Sequence, residues 1–294
     1  MPLLRAFRQP RLAATLFAIA AALPAAADAQ RNTVPDTGRV RIVSIPGSLP
    51  APRNAVVVLP TGYDRSTRLY PVLYLLHGYG GGHRNWLERT NLLAHTAHIP
   101  LIIVLPDAGN SWYTNSAARP EERFEEYVAR EVPAFIDQSF RTLNYREARY
   151  VAGLSMGGYG ALKLGLKYPG RFSLVGSFSG SPRAVMDTVS PTLRDAFGPA
   201  GSTARAENDL LALAGRVPAA GAPYFYLDCG TADDLLAANR AFAEVMAARP
   251  LAYEYHEVPG AHGWEFWDRR LPVFLTLVEE RIARLPAAGA DDSP

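Results

Sequence analysis

The sequence predicts an α/β protein in which helices flank a mostly parallel, eight-stranded sheet. Short apolar runs of strand length recur along the chain, and from residue 84 onward stretches with helical periodicity separate them. Strands that alternate with helices are typical of parallel sheets, because each crossover between parallel strands needs a connection about as long as a helix. No internal repeat or long linker interrupts this order, so we expect one domain.

Eight apolar runs predict the strands of this sheet. Two of them, Pro71–Leu76 and Leu101–Leu105, are apolar without alternation, which is typical of strands buried on both faces. The predicted strands are Val40–Ile45, Ala55–Leu59, Pro71–Leu76, Leu101–Leu105, Tyr150–Gly153, Leu174–Phe178, Tyr224–Leu227 and Ala252–Val258.

Five stretches between or after these runs have apolar residues at helical spacing. They have the length of ordinary helices and lie where crossovers between parallel strands belong. The predicted helices are Arg84–His98, Glu121–Gln138, Gly157–Tyr168, Ala232–Ala247 and Asp268–Arg284.

The segment Gly153-Leu154-Ser155-Met156-Gly157-Gly158 carries the strongest chemical signal. It follows a buried strand and opens a helix, and G-x-S-x-G in that context is typical of the nucleophile elbow of α/β-hydrolases. Its glycines permit a cramped turn that leaves the serine hydroxyl exposed, and the helix directs its positive end at the site. We therefore predict Ser155 as the nucleophile on an α/β-hydrolase fold.

A serine hydroxyl needs a base, and the base needs an orienting carboxylate, in the chain order Ser, Asp or Glu, His. His262 lies in the loop after the last strand, from which it can reach back to Ser155. The other candidates are weaker: His256 lies within that strand, and His95 and His98 share one helix face without a complete ligand set. We predict His262 as the base.

The strand Tyr224–Leu227 is followed by three aspartates that are candidates for the carboxylate. Asp228 is close to the strand, where burial is the simpler interpretation. Asp233 and Asp234 both lie in the loop that enters the next helix. Their spacing does not decide between them.

Two backbone amides are needed to stabilise the charge that develops on the ester oxygen. The amide of Met156 directly follows the nucleophile. The second is expected in the Gly-rich loop Leu76–Gly82, where Tyr79 is the predicted donor. The spacing in this loop fits neither G-x-x-x-x-G-K-[ST] nor G-x-G-x-x-G, so we reject a phosphate-binding loop.

Further residues are candidates for substrate binding, because loops at the carboxyl ends of parallel strands form the ligand crevice. Trp112 follows the fourth strand, although this segment is equally consistent with a turn that only caps the strand. Trp264 and Trp267 flank the predicted base and are alternatively core anchors of the last helix. The substrate-binding candidates are His77, Gly78, Trp112, Tyr113 and Trp264.

Residues 181–222 separate two predicted strands and form a connection much longer than usual. This stretch contains four prolines with short apolar patches between them. We interpret it as a small helical insertion over the site that shapes substrate access. A packed surface excursion without such a role is an equal alternative.

The first 29 residues have the pattern of a secretory signal peptide. Three arginines precede an apolar stretch, Leu12–Ala22, that is too short to span a bilayer comfortably, and Ala27-Asp28-Ala29 supplies a cleavage pattern. We expect export to the periplasm or the medium after cleavage near Ala29, without a stable membrane anchor. The remaining domain is expected over residues 30–286, with a disordered tail at 287–294.

Charge and cysteine content exclude several other classes. The full chain has a net charge of +2, and removal of residues 1–29 takes away three Arg and one Asp, which leaves about zero. We therefore expect no nucleic acid or anionic membrane as a partner. The lone Cys229 cannot form an internal disulfide. The sequence does not indicate an oligomeric state.

Taken together, these motifs resemble the putative esterase (esterase D-like) family of α/β-hydrolases, which includes tributyrin-type, feruloyl and acetylxylan esterases, S-formylglutathione hydrolases and mycolyltransferases. The resemblance runs from about Val40 to Leu285. It implies ester hydrolysis without a cofactor or metal, on small-molecule or polysaccharide-linked esters. Its Cys-Gly-Thr-x-Asp run implies Asp233 as the catalytic acid, and its oxyanion donors correspond to Tyr79 and Met156. The segments that carry it are Leu59–Asp64, Tyr74–Gly78, Pro106–Asp107, Trp112–Tyr113, Gly153–Gly158, Cys229–Asp233 and His262–Trp267.

The predicted function is an exported serine carboxylesterase that acts on short-chain or carbohydrate-linked acyl esters. One alternative is an acyltransferase, which would deliver the same acyl group to a sugar or lipid alcohol. A second is a non-catalytic binding protein on the same fold, which would not need an intact Ser–His–Asp set.

Overall fold

The computed structural model describes residues 38–286, and eight strands in this part of the chain form one sheet. Each strand overlaps a predicted apolar run, which confirms the predicted fold class. The expectations for residues 1–29 and for the tail 287–294 lie outside the described residues. The strands are β1 (Val40–Ile45), β2 (Arg53–Val58), β3 (Val72–Leu76), β4 (Ile102–Pro106), β5 (Arg149–Leu154), β6 (Leu174–Phe178), β7 (Tyr224–Gly230) and β8 (Tyr253–Val258).

The strand order in the sheet is β1-β2-β4-β3-β5-β6-β7-β8. Strand β2 pairs antiparallel with β1 and β4, and every pair from β4 to β8 is parallel. Strands β3 to β6 are buried along their whole length, as expected for parallel strands covered on both faces. Because parallel strands end at the same edge, the loops after β3, β5, β7 and β8 meet there.

Helices cover both faces of this sheet. Ten α-helical segments lie within residues 38–286, and short 3₁₀ turns occur at Tyr63–Arg65, Arg146–Ala148 and Ala184–Met186. The helices are α1 (Asn85–Arg89), α2 (Leu92–His95), α3 (Phe124–Glu126), α4 (Val132–Ser139), α5 (Met156–Lys167), α6 (Pro191–Phe197), α7 (Thr203–Glu207), α8 (Leu210–Arg216), α9 (Leu236–Ala247) and α10 (Trp264–Ile282).

Two predicted helices are interrupted, and each interruption has a local cause. The stretch 121–138 contains a π-helical segment, Tyr127–Glu131, directly before α4. Pro133 has no N–H to continue the α-helical hydrogen bonds across this junction. The stretch 84–98 breaks between α1 and α2, where the carboxylate of Asp268 accepts hydrogen bonds from the backbone and side chain of Asn91.

The long connection after β6 is a helical insertion, as predicted. It contains α6, α7 and α8, and its apolar residues join the main core rather than forming a separate one. Phe197 packs against Tyr159 of α5, with the ring centroids 5.5 Å apart. The hydroxyl of Thr192 on α6 lies 3.2 Å from that of Tyr79. The insertion therefore packs beside the Gly-rich loop.

Over residues 38–286, no helix is long and apolar enough to cross a bilayer.

Candidate active site

The turn between β5 and α5 presents Ser155 in a strained conformation. Its φ of 54° and ψ of −117° lie outside the regions that side-chain-bearing residues normally adopt. Two glycines permit the close packing behind it. A Cβ on Gly153 would lie 2.5 Å from the backbone of Gly157, and one on Gly157 would lie 2.5 Å from the carbonyl oxygen of Leu76. The turn is therefore locked between β3 and α5.

Three predicted side chains come together at this edge of the sheet. The Nε2 of His262 lies 3.0 Å from the Oγ of Ser155. The Nδ1 of the same ring lies 2.9 Å from the Oδ2 of Asp233. A carboxylate accepts hydrogen bonds, so Nδ1 carries the proton and the Nε2 lone pair faces the serine hydroxyl.

Local hydrogen bonds decide which aspartate reaches the histidine. The side chain of Asp233 is fully buried, and its Oδ1 accepts a hydrogen bond of 2.8 Å from the amide of Leu235. Asp234 is exposed. Burial alone would raise the pKa of Asp233, but hydrogen bonds from His262 and from the Leu235 amide outweigh it and hold this pKa below its ordinary value. Asp233 is thus an anion beside the imidazole.

Backbone hydrogen bonds join the loops after β7 and β8, and this pairing brings Asp233 and His262 together. The amide of Thr231 donates to the carbonyl oxygen of Val258 over 3.0 Å, and the amide of Ala232 donates to that of Gly260 over 2.9 Å. On its other side, the His262 ring meets the edge of Trp267, with the centroids 5.0 Å apart. The imidazole therefore has little freedom to rotate.

The Gly-rich loop after β3 uses most of its amides internally. The amide of Gly80 donates to Asn110, that of Gly81 to the carbonyl oxygen of Gly78, and that of Gly82 to Asn85. By contrast, the amides of Tyr79 and Met156 have no acceptor among residues 38–286. Met156 begins α5, so its amide belongs to the positive end of that helix. Both amides are available to an oxygen at the site.

Two of the predicted substrate-binding residues lie behind the loop. His77 is buried, its Nε2 accepts from the amide of Ala108 over 3.1 Å, and its Nδ1 lies 2.8 Å from the carbonyl oxygen of Gly78. This pattern fixes a neutral ring that donates from Nδ1, and burial lowers its pKa. Tyr113 is also buried and donates to the carbonyl oxygen of His77 over 2.8 Å. Both residues support the Gly-rich loop from behind and do not line the cavity.

Trp112 forms the next layer of this support. It is 9% exposed, and its ring packs against Tyr79, Tyr159 and Phe197 at centroid distances of 6.3, 5.7 and 6.0 Å. Trp112 therefore connects the Gly-rich loop to α5 and to the insertion.

A cavity of about 240 Å³ opens above Ser155. Of the predicted substrate-binding residues, it includes Gly78 and Trp264. The motifs in the sequence did not point to Asn85 and Arg89, although both lie close after the Gly-rich loop on α1. The lining residues are Gly78, Tyr79, Gly80, Gly81, Asn85, Arg89, Leu154, Ser155, His262, Trp264 and Trp267.

The remaining histidine candidates lie elsewhere. The Nε2 of His256 contacts Glu254 at 2.8 Å on β8. His95 and His98 pair with two different carboxylates of α10, Asp268 at 2.9 Å and Glu279 at 3.1 Å. Over residues 38–286, no group of three or more His, Cys, Asp or Glu side chains is arranged to hold a metal ion.

Comparisons with known proteins agree with this architecture. An acetyl esterase of Caldicellulosiruptor saccharolyticus is 30% identical over 210 residues, which are 67% of this chain and 79% of that protein. Esterase Rv1288 of Mycobacterium tuberculosis is 34% identical over 268 residues, which are 79% of this chain but 56% of that protein. A solved ferulic acid esterase is 26% identical with a TM-score of 0.70, and the match covers 83% of this chain and 99% of that one.

The strand order, the turn at Ser155 and these matches define an enzyme with the α/β-hydrolase fold that hydrolyses carboxylic esters. The chain belongs to the family described as "Putative esterase", whose model matches residues 47–277. The predicted family resemblance is thereby confirmed.

Proposed function

We propose that the protein is an exported serine carboxylesterase that hydrolyses short-chain or carbohydrate-linked acyl esters through Ser155, His262 and Asp233. The observation that carries this proposal is the continuous chain of hydrogen-bonding contacts from Asp233 to His262 to Ser155, at 2.9 and 3.0 Å. Both distances are within the range expected of a nucleophile, its base and the group that orients the base.

In the first half of the reaction, the Oγ of Ser155 forms a bond to the ester carbonyl carbon while His262 Nε2 takes its proton. The buried carboxylate of Asp233 stabilises the imidazolium that results, and does not itself take the proton. The tetrahedral intermediate collapses when the bond to the alcohol oxygen breaks, and His262 returns the proton to that oxygen. The alcohol leaves, and an acyl group remains on Ser155.

The amides of Tyr79 and Met156 are proposed to bind the oxyanion of this intermediate. Their lack of other acceptors among the described residues supports the assignment. Each donor of this kind contributes about 3–4 kcal/mol to transition-state stabilisation in other hydrolases. His77, Tyr113 and Trp112 would act indirectly, because they hold the loop that carries the Tyr79 amide.

In the second half, water takes the place of the alcohol. His262 Nε2 accepts a proton from the water as its oxygen attacks the acyl carbon, and the bond to Ser155 Oγ breaks with return of the proton to the serine. A carboxylic acid is released. No cofactor or metal ion is needed for this sequence of steps.

The proposed substrate range follows from the size of the cavity and from the relatives. A cavity of about 240 Å³ is smaller than the roughly 300–1,000 Å³ of typical ligand pockets, which favours short acyl groups or one aromatic ring. The names of the relatives mention acetyl and feruloyl esters, which are of this size. The signal-like residues 1–29 support export.

Hydrolysis of 4-nitrophenyl esters from acetate to laurate, together with methyl ferulate, tests the proposal. Ser155→Ala is expected to lower kcat by several orders of magnitude, with an unchanged melting temperature. Ser173→Ala is the control, because that hydroxyl binds the carbonyl oxygen of Glu147 away from the cavity. Activity retained in Ser155→Ala would refute the proposal. Product analysis with added alcohols separates hydrolysis from acyl transfer.

A further inference from the structure

The cavity above Ser155 has an uneven distribution of charge. None of its lining residues is acidic, and Arg89 contributes a permanent positive charge in addition to the titratable His262. The proposed reaction needs no such cation, because the developing negative charge is assigned to the amides of Tyr79 and Met156. Arg89 lines the same cavity as the nucleophile without a part in this reaction, which indicates that its charge serves to bind a ligand.

Arg89 has no anionic partner within the described part of the chain. No carboxylate of residues 38–286 lies within 4.0 Å of its guanidinium, although Arg84, directly before α1, and Arg269 of α10 are paired. The nearby carboxylates are engaged elsewhere: Glu88 binds Arg84 at 3.4 Å, Glu265 faces Arg269 at 3.9 Å, and Asp268 binds Asn91 and His95. The donors of Arg89 remain available.

The position of Arg89 is nevertheless defined. Its guanidinium carbon lies 5.7 Å from the centroid of the Trp264 ring, which itself lines the cavity. A cation–π contact at this distance leaves the N–H groups of the guanidinium free to bind an anion. Trp264 is held in turn by edge-to-face contacts with Trp86 and Trp267, at centroid distances of 5.6 and 5.2 Å.

We propose that Arg89 makes the enzyme selective for esters that carry a carboxylate close to the scissile bond. This inference rests on the proposed function, since it assumes that the ester is cleaved at Ser155. A carboxylate matches the paired N–H donors of a guanidinium, and the acid-free lining offers it no like charge. The carboxylate belongs either to the acyl group or to the alcohol.

Two matched pairs of substrates test this selectivity and separate the two sources. On the acyl side, the 4-nitrophenyl monoester of adipic acid is compared with its neutral carboxamide. On the alcohol side, 4-acetoxybenzoate is compared with 4-acetoxybenzamide. For each pair we measure the ratio of kcat/KM for the anion to kcat/KM for the amide, at low and at high ionic strength.

Arg89→Gln is expected to lower this ratio about three- to fivefold for one of the two pairs, because Arg89 is exposed and exposed ion pairs contribute up to about 1 kcal/mol. Arg89→Lys should restore part of the ratio, and added salt should reduce it in the wild type. Arg216→Gln removes the same charge from an exposed position on α8 outside the cavity and should leave the ratio unchanged.

The inference is overturned if Arg89→Gln leaves both ratios unchanged, or if Arg216→Gln lowers them equally. A wild type that cleaves the amides but neither anion would also overturn it, while the proposed function would stand. A binding measurement is independent of turnover. In the Ser155→Ala variant, the change in tryptophan fluorescence should report tighter binding of 4-acetoxybenzoate than of its amide. The double variant Ser155→Ala/Arg89→Gln should bind the two compounds equally.

Discussion

Replacement of Asp233 by Asn separates the orienting role of the carboxylate from its role in packing. The side chain is fully buried, and the Oδ1 oxygen accepts the amide hydrogen of Leu235. In the variant, the amide oxygen is expected to keep this hydrogen bond because it is still an acceptor. The NH₂ group then takes the place of Oδ2, which lies 2.9 Å from the Nδ1 of His262.

This exchange reverses the tautomer of the base. An NH₂ group donates, so Nδ1 must accept, and the ring proton moves to Nε2, where it faces the Ser155 hydroxyl at 3.0 Å. No lone pair is then available to take the serine proton. The same substitution in another Ser–His–Asp enzyme lowers kcat by about 10⁴-fold, which is equivalent to about 5 kcal/mol of activation free energy.

The assay is kcat and KM for 4-nitrophenyl acetate, together with the melting temperature. For Asp233→Asn we expect kcat to fall about 10⁴-fold and KM to change little, because the lost interaction matters in the transition state. Asp234→Asn is the matched control. Asp234 is exposed, so kcat should stay within about twofold of the wild-type value, as for most surface substitutions.

Two results would refute this reasoning. Asp233→Asn with more than about one-tenth of the wild-type kcat would show that His262 does not depend on this carboxylate for its tautomer. An equal loss of kcat in Asp234→Asn would show that the orienting role does not belong to Asp233 alone. A large fall in the melting temperature of Asp233→Asn alone would instead indicate that the buried carboxylate is mainly structural.

Three further predictions concern stability, measured as the free energy of unfolding in urea. Gly157→Ala should lower the free energy of unfolding by about 1–3 kcal/mol, because its Cβ would lie 2.5 Å from the Leu76 carbonyl oxygen. Gly215→Ala in α8 is the control, because a Cβ there meets open space and should be neutral or stabilising. Equal effects would contradict the close packing. Lys163→Ala should cost about 3–5 kcal/mol, since it removes a fully buried partner of Glu125, and the half-buried Lys167→Ala should cost less. The reverse order would exclude this explanation. Burial would raise the pKa of Asp107, but the His83 imidazole at 3.7 Å and a hydrogen bond of 2.9 Å from the Gly109 amide outweigh it and lower this pKa to about 2. Because this pKa is lowered in the folded state, Asp107 contributes about 2 kcal/mol to the free energy of unfolding above pH 4, and this contribution is lost as the pH falls through 2. The difference in free energy of unfolding between wild type and Asp107→Asn should therefore shrink from pH 4 to pH 2.

The sequence was sufficient to predict the strands and the mostly parallel sheet, because apolar runs and the helical stretches between them are local patterns. The apolar runs that predict β3 and β4 are buried along their whole length in the structure. Helix boundaries were less predictable where a hydrogen bond to a residue far away in the chain ends a helix. The break between α1 and α2 depends on Asp268, which is 177 residues away from Asn91 and cannot be recognised from the local periodicity.

At the candidate site, sequence motifs were informative where backbone geometry demands particular residues. The glycines around Ser155 and in the loop after β3 are required by close backbone contacts, so their spacing is visible in the sequence. Side chains that depend on long-range packing were not predictable in this way. His77 and Tyr113 belong to conspicuous motifs, but they lie behind the loop because their polar atoms bind its backbone.

The sequence by itself therefore predicted the fold class, the chain order of the catalytic candidates and the identity of the serine and histidine among them. Residue spacing left Asp233 and Asp234 open and the family resemblance implied Asp233, but only the tertiary structure places the Asp233 carboxylate against His262 and brings Arg89 to the cavity. The physical reason is the same in both cases. Adjacent residues in a turn point in different directions, and the direction of a side chain is set by hydrogen bonds and packing with residues far away in the chain.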